Sequence, residues 1–219
     1  MAMKAAQRRQ SIVNAGLALF KERGYDAVSV DDICKKAQVT KPTFYNHISS
    51  KQMILVEYFQ QKTEEALPAA KELLDDDKPA VAFQRLLNTF HGITEEMGPE
   101  LYAVYRTYMF KDPGYSSSQS TSMEKMIVDC LRMMQEKGYI ENIDTPEHLA
   151  SAILELNNGL AIIWAAKNGA FDYAEIFLQW CRNILSIREA APEYLLPIEK
   201  APLNRYRDPT PVQADPSAL

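Results

Sequence analysis

Apolar residues along the first sixty positions recur at helical spacing, in short bursts broken by polar caps. Ile12, Ala15, Gly16, Leu19 and Phe20 fall on one face at i, i+3, i+4, i+7 and i+8. That is the stripe of an amphipathic helix, and Gly24 supplies a left-handed stop just after Lys21 to Arg23. The next start is marked by Ser29 as N-cap, with Asp32 in the capping-box position and Val28 placed to staple Ile33. This second helix is short and ends near Ala37. A third start follows at once: Thr40 is the cap, Val39 and Phe44 form the staple pair, and Pro42 sits in the first turn, where a missing N–H costs no helical bond. Ser49 with Gln52 repeats the device, with Ile48 placed to staple Met53. Short, independently capped helices joined by tight turns are the layout of a helix-turn-helix followed by a longer helix.

Further along, the 3.6-residue period predicts helices over 51–66, 79–97, 100–111, 120–137, 146–168 and 172–189. They are separated by Asp75 to Pro79, Gly98-Pro99, Asp112-Pro113-Gly114 with a Ser-rich run, Gly138, Asp144 to Pro146, and Gly169. Strand signals are weak. The expectation is an all-α protein of about nine helices, with an N-terminal three-helix helix-turn-helix DNA-binding domain over 1–50 and a helical ligand-binding and dimerisation domain over 51–191. Residues 192–219 form a Pro-rich tail holding six of the twelve prolines.

Charge sharpens this picture. Through residue 60 there are nine Lys/Arg against five Asp/Glu, a local balance of +4 in a chain of net charge −5. A basic head on an acidic body suits a nucleic-acid contact joined to a regulatory or assembly domain. In the helix from Lys41 to His47, Phe44 faces inward. Thr40, Lys41 and Thr43 then stand at the N-terminal end, which enters the major groove in a recognition helix. Tyr45, Asn46, His47 and Lys51 suit phosphate clamping or base contact, and the helix start headed by Ser29 offers N–H groups to phosphate. The same residues would also serve as the solvated face of a small three-helix unit.

The stretch from about Gln7 to Phe59 resembles the N-terminal DNA-binding domain of the TetR/AcrR family of bacterial transcriptional regulators. The resemblance rests on Leu19-Phe20 and Gly24-Tyr25, on the helix start at Ser29, and on "FYNHISSKQMI" from Phe44 to Ile54. Ile48 stands where the family more often has Phe, and Gln52 where it has an acidic residue. The resemblance covers about a quarter of the chain and implies that Ser29, Thr40, Lys41, Thr43, Tyr45, His47 and Lys51 fall where such proteins contact DNA. It further implies a homodimer presenting two recognition helices to a pseudo-palindromic double-stranded operator, with repression the commoner outcome and release by a small-molecule effector.

Two regions fit the remaining roles. Phe90, Met97, Tyr102, Tyr105, Arg106, Met109, Met126, Cys130, Met133 and Asn157 gather aromatic and Met side chains with a few polar handles, suited to a largely apolar or aromatic ligand or to plain core. Leu156, Leu160, Ile163, Trp164, Phe177, Trp180 and Ile184 make the last two helices apolar over more than one face, suited to a dimer interface or to monomer core.

Other classes find little support. No Gly-rich phosphate loop occurs, and no Glu stands three residues before His47, His91 or His148 as a di-iron bundle would need, so neither an enzyme nor a bound metal or cofactor is expected. Cys34, Cys130 and Cys181 are scattered, which fits reduced thiols in a cytoplasm. No uninterrupted apolar run reaches bilayer length, so no membrane partner is expected. A helical adaptor for a protein partner is the competing class, and it predicts no salt-dependent DNA affinity.

Overall fold

The computed structural model describes residues 2–111 and 121–188, with side chains from residue 5 and from residue 122 of those segments. They form eight α-helices: α1 (Ala2–Arg23), α2 (Val30–Ala37), α3 (Lys41–His47), α4 (Met53–Asp75), α5 (Pro79–Lys111), α6 (Thr121–Glu136), α7 (Pro146–Ala166) and α8 (Tyr173–Leu185). An isolated antiparallel bridge joins Ile140 to Ile187. The fold is all-α, as the periodicity predicts.

The N-terminal stripe is buried as read. Ile12, Leu19 and Phe20 of α1 pack with Val28, Ile33, Phe44 and Ile48 in one core. That core does not close on itself. Ile54, Leu55, Val56 and Tyr58, spread over roughly 200° of the first turns of α4, are buried as well. So α4 starts inside the N-terminal unit and then packs along α5 in the body. Gly16 explains the closeness of α1 to α4: a β-carbon there would stand 2.6 Å from Ile54 Cδ1.

Three expectations change in detail. The helix expected over 51–66 starts at Met53 and runs through Pro68 to Asp75. Pro68 is exposed, so water can satisfy the carbonyl that its missing N–H leaves free. The Ser49/Gln52 capping box does not form. Gln52 is already helical and makes no side-chain cap bond, and the nearest hydroxyl acceptor is Ser50, 3.4 Å from the Met53 amide. The helices expected over 79–97 and 100–111 are the two arms of α5, which bends at Gly98 with φ 76° and ψ 166°. Such dihedrals are essentially restricted to glycine. The tail over 192–219 and the Asp112-Pro113-Gly114 break lie outside the described residues.

By length and mean hydropathy α7 could cross a membrane. Its Leu149, Ile153, Leu160 and Trp164 are instead buried in the helical core.

Gly16→Ala tests the α1–α4 approach. Alanine ordinarily stabilises a helix by ~1 kcal/mol over glycine, but here the clash should destabilise by about 1–3 kcal/mol. In an Ile54→Val background, which removes Cδ1, the cost should shrink toward zero. Urea denaturation of the double-mutant cycle reads this; additive effects would show that the contact does not limit packing.

Candidate nucleic-acid interface

The helix-turn-helix is held by caps at both of its short helices. Ser29 Oγ accepts from the Asp32 amide at 3.2 Å, and Asp32 Oδ2 accepts from the Ser29 amide at 2.9 Å, the reciprocal box expected. The Ser29 hydroxyl also donates to that carboxylate, and these bonds hold Asp32 below the usual carboxylate range. α2 closes with Gln38 in the left-handed region at φ 54°, its amide donating to the carbonyls of Cys34 and Lys35. Thr40 then caps α3, its Oγ1 accepting from the Thr43 amide at 3.3 Å and lying 2.9 Å from the Thr43 hydroxyl. The result is a rigid seven-residue helix two residues after the α2 turn.

Phe44 anchors α3, since its side chain is wholly buried. Opposite it, Thr40, Lys41, Tyr45 and Asn46 are exposed, while Thr43 and His47 are half-buried. Tyr45 is 54% exposed and rests edge-on against Phe44 with centroids 5.2 Å apart, which fixes the ring while leaving its hydroxyl outward. Lys41 Nζ pairs with Asp31 Oδ1 at 2.9 Å, a fully surface-exposed bond that tethers α3 to α2. Such pairs contribute little and exchange readily for another anion. Ser29, also exposed, heads α2 on the same unit.

Lys51 is placed differently from the expectation of a phosphate clamp. It is half-buried, and its ammonium donates to the Tyr25 carbonyl at 2.8 Å and the Val28 carbonyl at 2.9 Å. It also lies 3.9 Å from the centroid of the Tyr25 ring, and burial lowers its pKa. Two of its three donors therefore tie the α1–α2 turn together at the Tyr25 and Val28 carbonyls, the first of which also accepts the Val28 amide at 3.3 Å.

Residues 12–58 match the profile described as bacterial regulatory proteins, tetR family. Over 53 residues the chain is 47% identical to the Transposon Tn10 TetC protein of Escherichia coli, covering 24% of this chain and 27% of that protein. It is 38% identical over 95 residues to the HTH-type transcriptional repressor DhaR of Mycobacterium sp. (strain GP1), covering 41% of this chain and 44% of that one. Thus the chain spans less than half the length of these curated relatives. Among solved structures, Thermus thermophilus FadR, a TetR family transcriptional repressor in complex with lauroyl-CoA, aligns at TM-score 0.65 and 24% identity over 84% of this chain and 98% of that one. The fatty acid degradation regulator FadR of Bacillus halodurans aligns at TM-score 0.60 and 17% identity, over 81% of this chain and 94% of that one. These two likenesses are of fold.

The N-terminal unit, over residues 12–58, is thus similar to the tetR family.

The body places the remaining candidates mostly in its interior. Met97, Tyr102, Tyr105, Met109, Cys130 and Asn157 are buried, and Phe90, Arg106, Met126 and Met133 are half-buried. Phe59 of α4, which the periodicity did not single out, organises the aromatic ones: it stacks on Tyr105 at 4.9 Å and meets Phe90 at 6.1 Å, while Tyr102 lies 5.8 Å from Tyr105. A surface depression on α5, lined by Val81, Gln84, Arg85, Asn88 and Thr89, includes none of the expected ligand residues.

The interface expectation is corrected for three residues. Leu160, Trp164 and Phe177 are buried within the chain, Trp164 against Tyr173 at 5.4 Å, so they have no surface left for a second copy. Ile163 and Trp180 are each 39% exposed on α7 and α8, and Leu156 and Ile184 are half-buried beside them.

A polar group lies inside this apolar body. The buried His91 ring stands edge-on to Tyr173 and to Phe177, with centroids 5.0 Å away in each case. Burial pushes its pKa down to about 4, with Asn157 and Asp172 acting the other way. The neutral imidazole is therefore the native form at pH 7.

Two outcomes follow for this site. Lys51→Ala should lower stability by about 1–3 kcal/mol because the Val28 carbonyl loses its donor and the Tyr25 carbonyl its charged one; Lys51→Met, which keeps the stem, should cost the same in urea midpoint if the hydrogen bonds matter and nothing if packing does. For His91, the folded pKa lies below the unfolded one, so its contribution is complete above about pH 6.5 and lost as pH falls toward 4. Relative to His91→Leu, the wild type should lose about 2 kcal/mol between pH 7 and pH 5, and parallel pH profiles would refute the neutral-core assignment.

Proposed function

We propose that this chain is a transcriptional regulator that binds double-stranded DNA. In this reading residues 1–50 are the DNA-binding domain, residues 51–191 hold an effector and form a homodimer, and the Pro-rich tail over 192–219 lies beyond both. The observation that carries it is the outer face of the helix-turn-helix. Thr40, Lys41, Thr43, Tyr45 and Asn46 project from a helix that two caps and one buried phenylalanine hold rigid. Rigid presentation of short polar and aromatic side chains at a helix N-terminus is what base reading requires, and phosphate contacts from Tyr45, His47 and the Ser29 helix start would set the register.

Two such heads on a two-fold dimer would read a pseudo-palindromic operator. The exposed Ile163 and Trp180, flanked by Leu156 and Ile184, support pairing through α7 and α8. The aromatic and Met side chains around Phe59 support a largely apolar or aromatic effector, which would favour a head spacing that no longer fits the operator and so relieve repression.

The test is fluorescence anisotropy of the full chain against duplex DNA flanking its own gene, at 50 and 200 mM salt, with Tyr45→Ala alongside. Affinity should fall by a factor on the order of 10³ or more if about six phosphates are contacted. Tyr45→Ala should weaken binding at both salts without changing the melting temperature, since the ring is outward, and titration to stoichiometry should count two chains per site. Binding that ignores salt and survives Tyr45→Ala would favour the protein-adaptor class instead.

A further inference from the structure

Glu96 and Glu100 lie either side of the α5 bend, and both turn toward the N-terminal helices. Glu100 Oε1 accepts the Tyr25 backbone N–H at 2.9 Å, across 75 residues of sequence. Glu96 Oε1 accepts from Lys21 Nζ at 3.2 Å. Tyr58 of α4 and Lys21 together hold the Glu96 carboxyl below its usual range. Tyr25 is thus gripped through both of its backbone polar groups: its N–H goes to the body through Glu100, and its carbonyl goes to Lys51 within the head. One residue in the α1–α2 turn therefore connects the start of the helix-turn-helix with the body.

The far side of the same segment faces inward. Met97, Leu101, Tyr102 and Tyr105 are buried in the body, so any rearrangement around them must move the backbone that carries Glu96 and Glu100. Gly98, between the two carboxylates, is held by its dihedral alone, because a β-carbon there would meet nothing within 4 Å.

We propose that Glu96 and Glu100 are positioning residues that clasp the head to the body across the Gly98 bend, so that the angle of α5 sets the orientation of the helix-turn-helix. The proposal deepens the DNA-regulator reading and rests on it for its functional consequence. The clasp and plain electrostatics predict opposite signs. A carboxylate near a DNA-binding head repels phosphate, so deleting it should tighten DNA binding by charge alone. Loss of the clasp should loosen it, because two misoriented heads no longer match the operator spacing.

The experiment uses the full-length chain and duplex DNA recovered by random-sequence selection with the wild type. Glu100→Ala should weaken binding to the selected duplex on the order of tenfold. Non-specific duplex binding should be unchanged or tighter, and the melting temperature nearly constant. Glu100→Gln, which loses the charge but keeps an oxygen acceptor for the Tyr25 N–H, should restore most of the affinity. Equal or tighter specific binding by Glu100→Ala, or no recovery with Glu100→Gln, overturns the proposal. A second readout stands apart from DNA: amide hydrogen exchange over residues 20–28 and 92–105. It should speed up in both segments in Glu100→Ala and return in Glu100→Gln; no change in either segment also overturns it. Should the wild type select no sequence, the DNA reading fails, and exchange alone decides the clasp.

Discussion

The burial of the first turns of α4 is the constraint from which the rest of the architecture follows. Ile54, Leu55, Val56 and Tyr58 point in different directions around the helix, and all four are buried. An amphipathic surface helix buries one stripe of about 100°; these four cover roughly 200° of the helix, so it has neighbours well beyond one side. Here α1 supplies one wall, brought close by the absence of a side chain at Gly16, and α5 supplies another. Head and body thereby share a helix rather than a linker. A rotation of α4 in the body must be felt at the helix-turn-helix, because close-packed interiors transmit displacement rather than absorb it.

Polar groups inside that packed frame have been given specific work by their surroundings. The Lys51 ammonium, which on a surface would be a mobile charge, closes the α1–α2 turn by occupying two carbonyls that no helix satisfies. His91 is the opposite case: enclosed by Tyr173 and Phe177, it is held neutral because the hydration a charged ring would lose outweighs the support of Asn157 and Asp172. Lys41, by contrast, is paired only at the surface with Asp31 and stays available for exchange with another anion. Similar residue types thus differ in function by depth alone.

Much of the head was legible from local chemistry. Ser29 with Asp32, Thr40 with Pro42, and the inward Phe44 each act within a turn or two of chain, where hydrogen-bond reach and side-chain period depend on few residues, and each appears in the structure as read. The Ser49/Gln52 box failed because the helix begins only at Met53, which puts Gln52 at the N-cap position and leaves Ser49 outside the helix. The helix expected to end at 66 instead runs on through Pro68 to Asp75, because the carbonyl that the missing N–H leaves free can reach water.

The body was less legible, and the reason is geometric. Period alone marks Leu160, Trp164, Ile163 and Trp180 as apolar, but which of them face the chain's own interior depends on how α7 and α8 cross their neighbours. Tertiary packing buried the first two and left the others partly exposed. Nothing in the spacing links Tyr25 to Glu100 or Lys51 to Val28, since such bonds join residues that only the folded chain brings together. By itself, the sequence determined the all-α class, the capped helix-turn-helix and the likeness of its N-terminal unit to the tetR family, all of which depend on near neighbours along the chain. Only the tertiary structure decided which polar groups are buried, which apolar faces remain open and how the head is attached to the body, because these depend on contacts between distant segments.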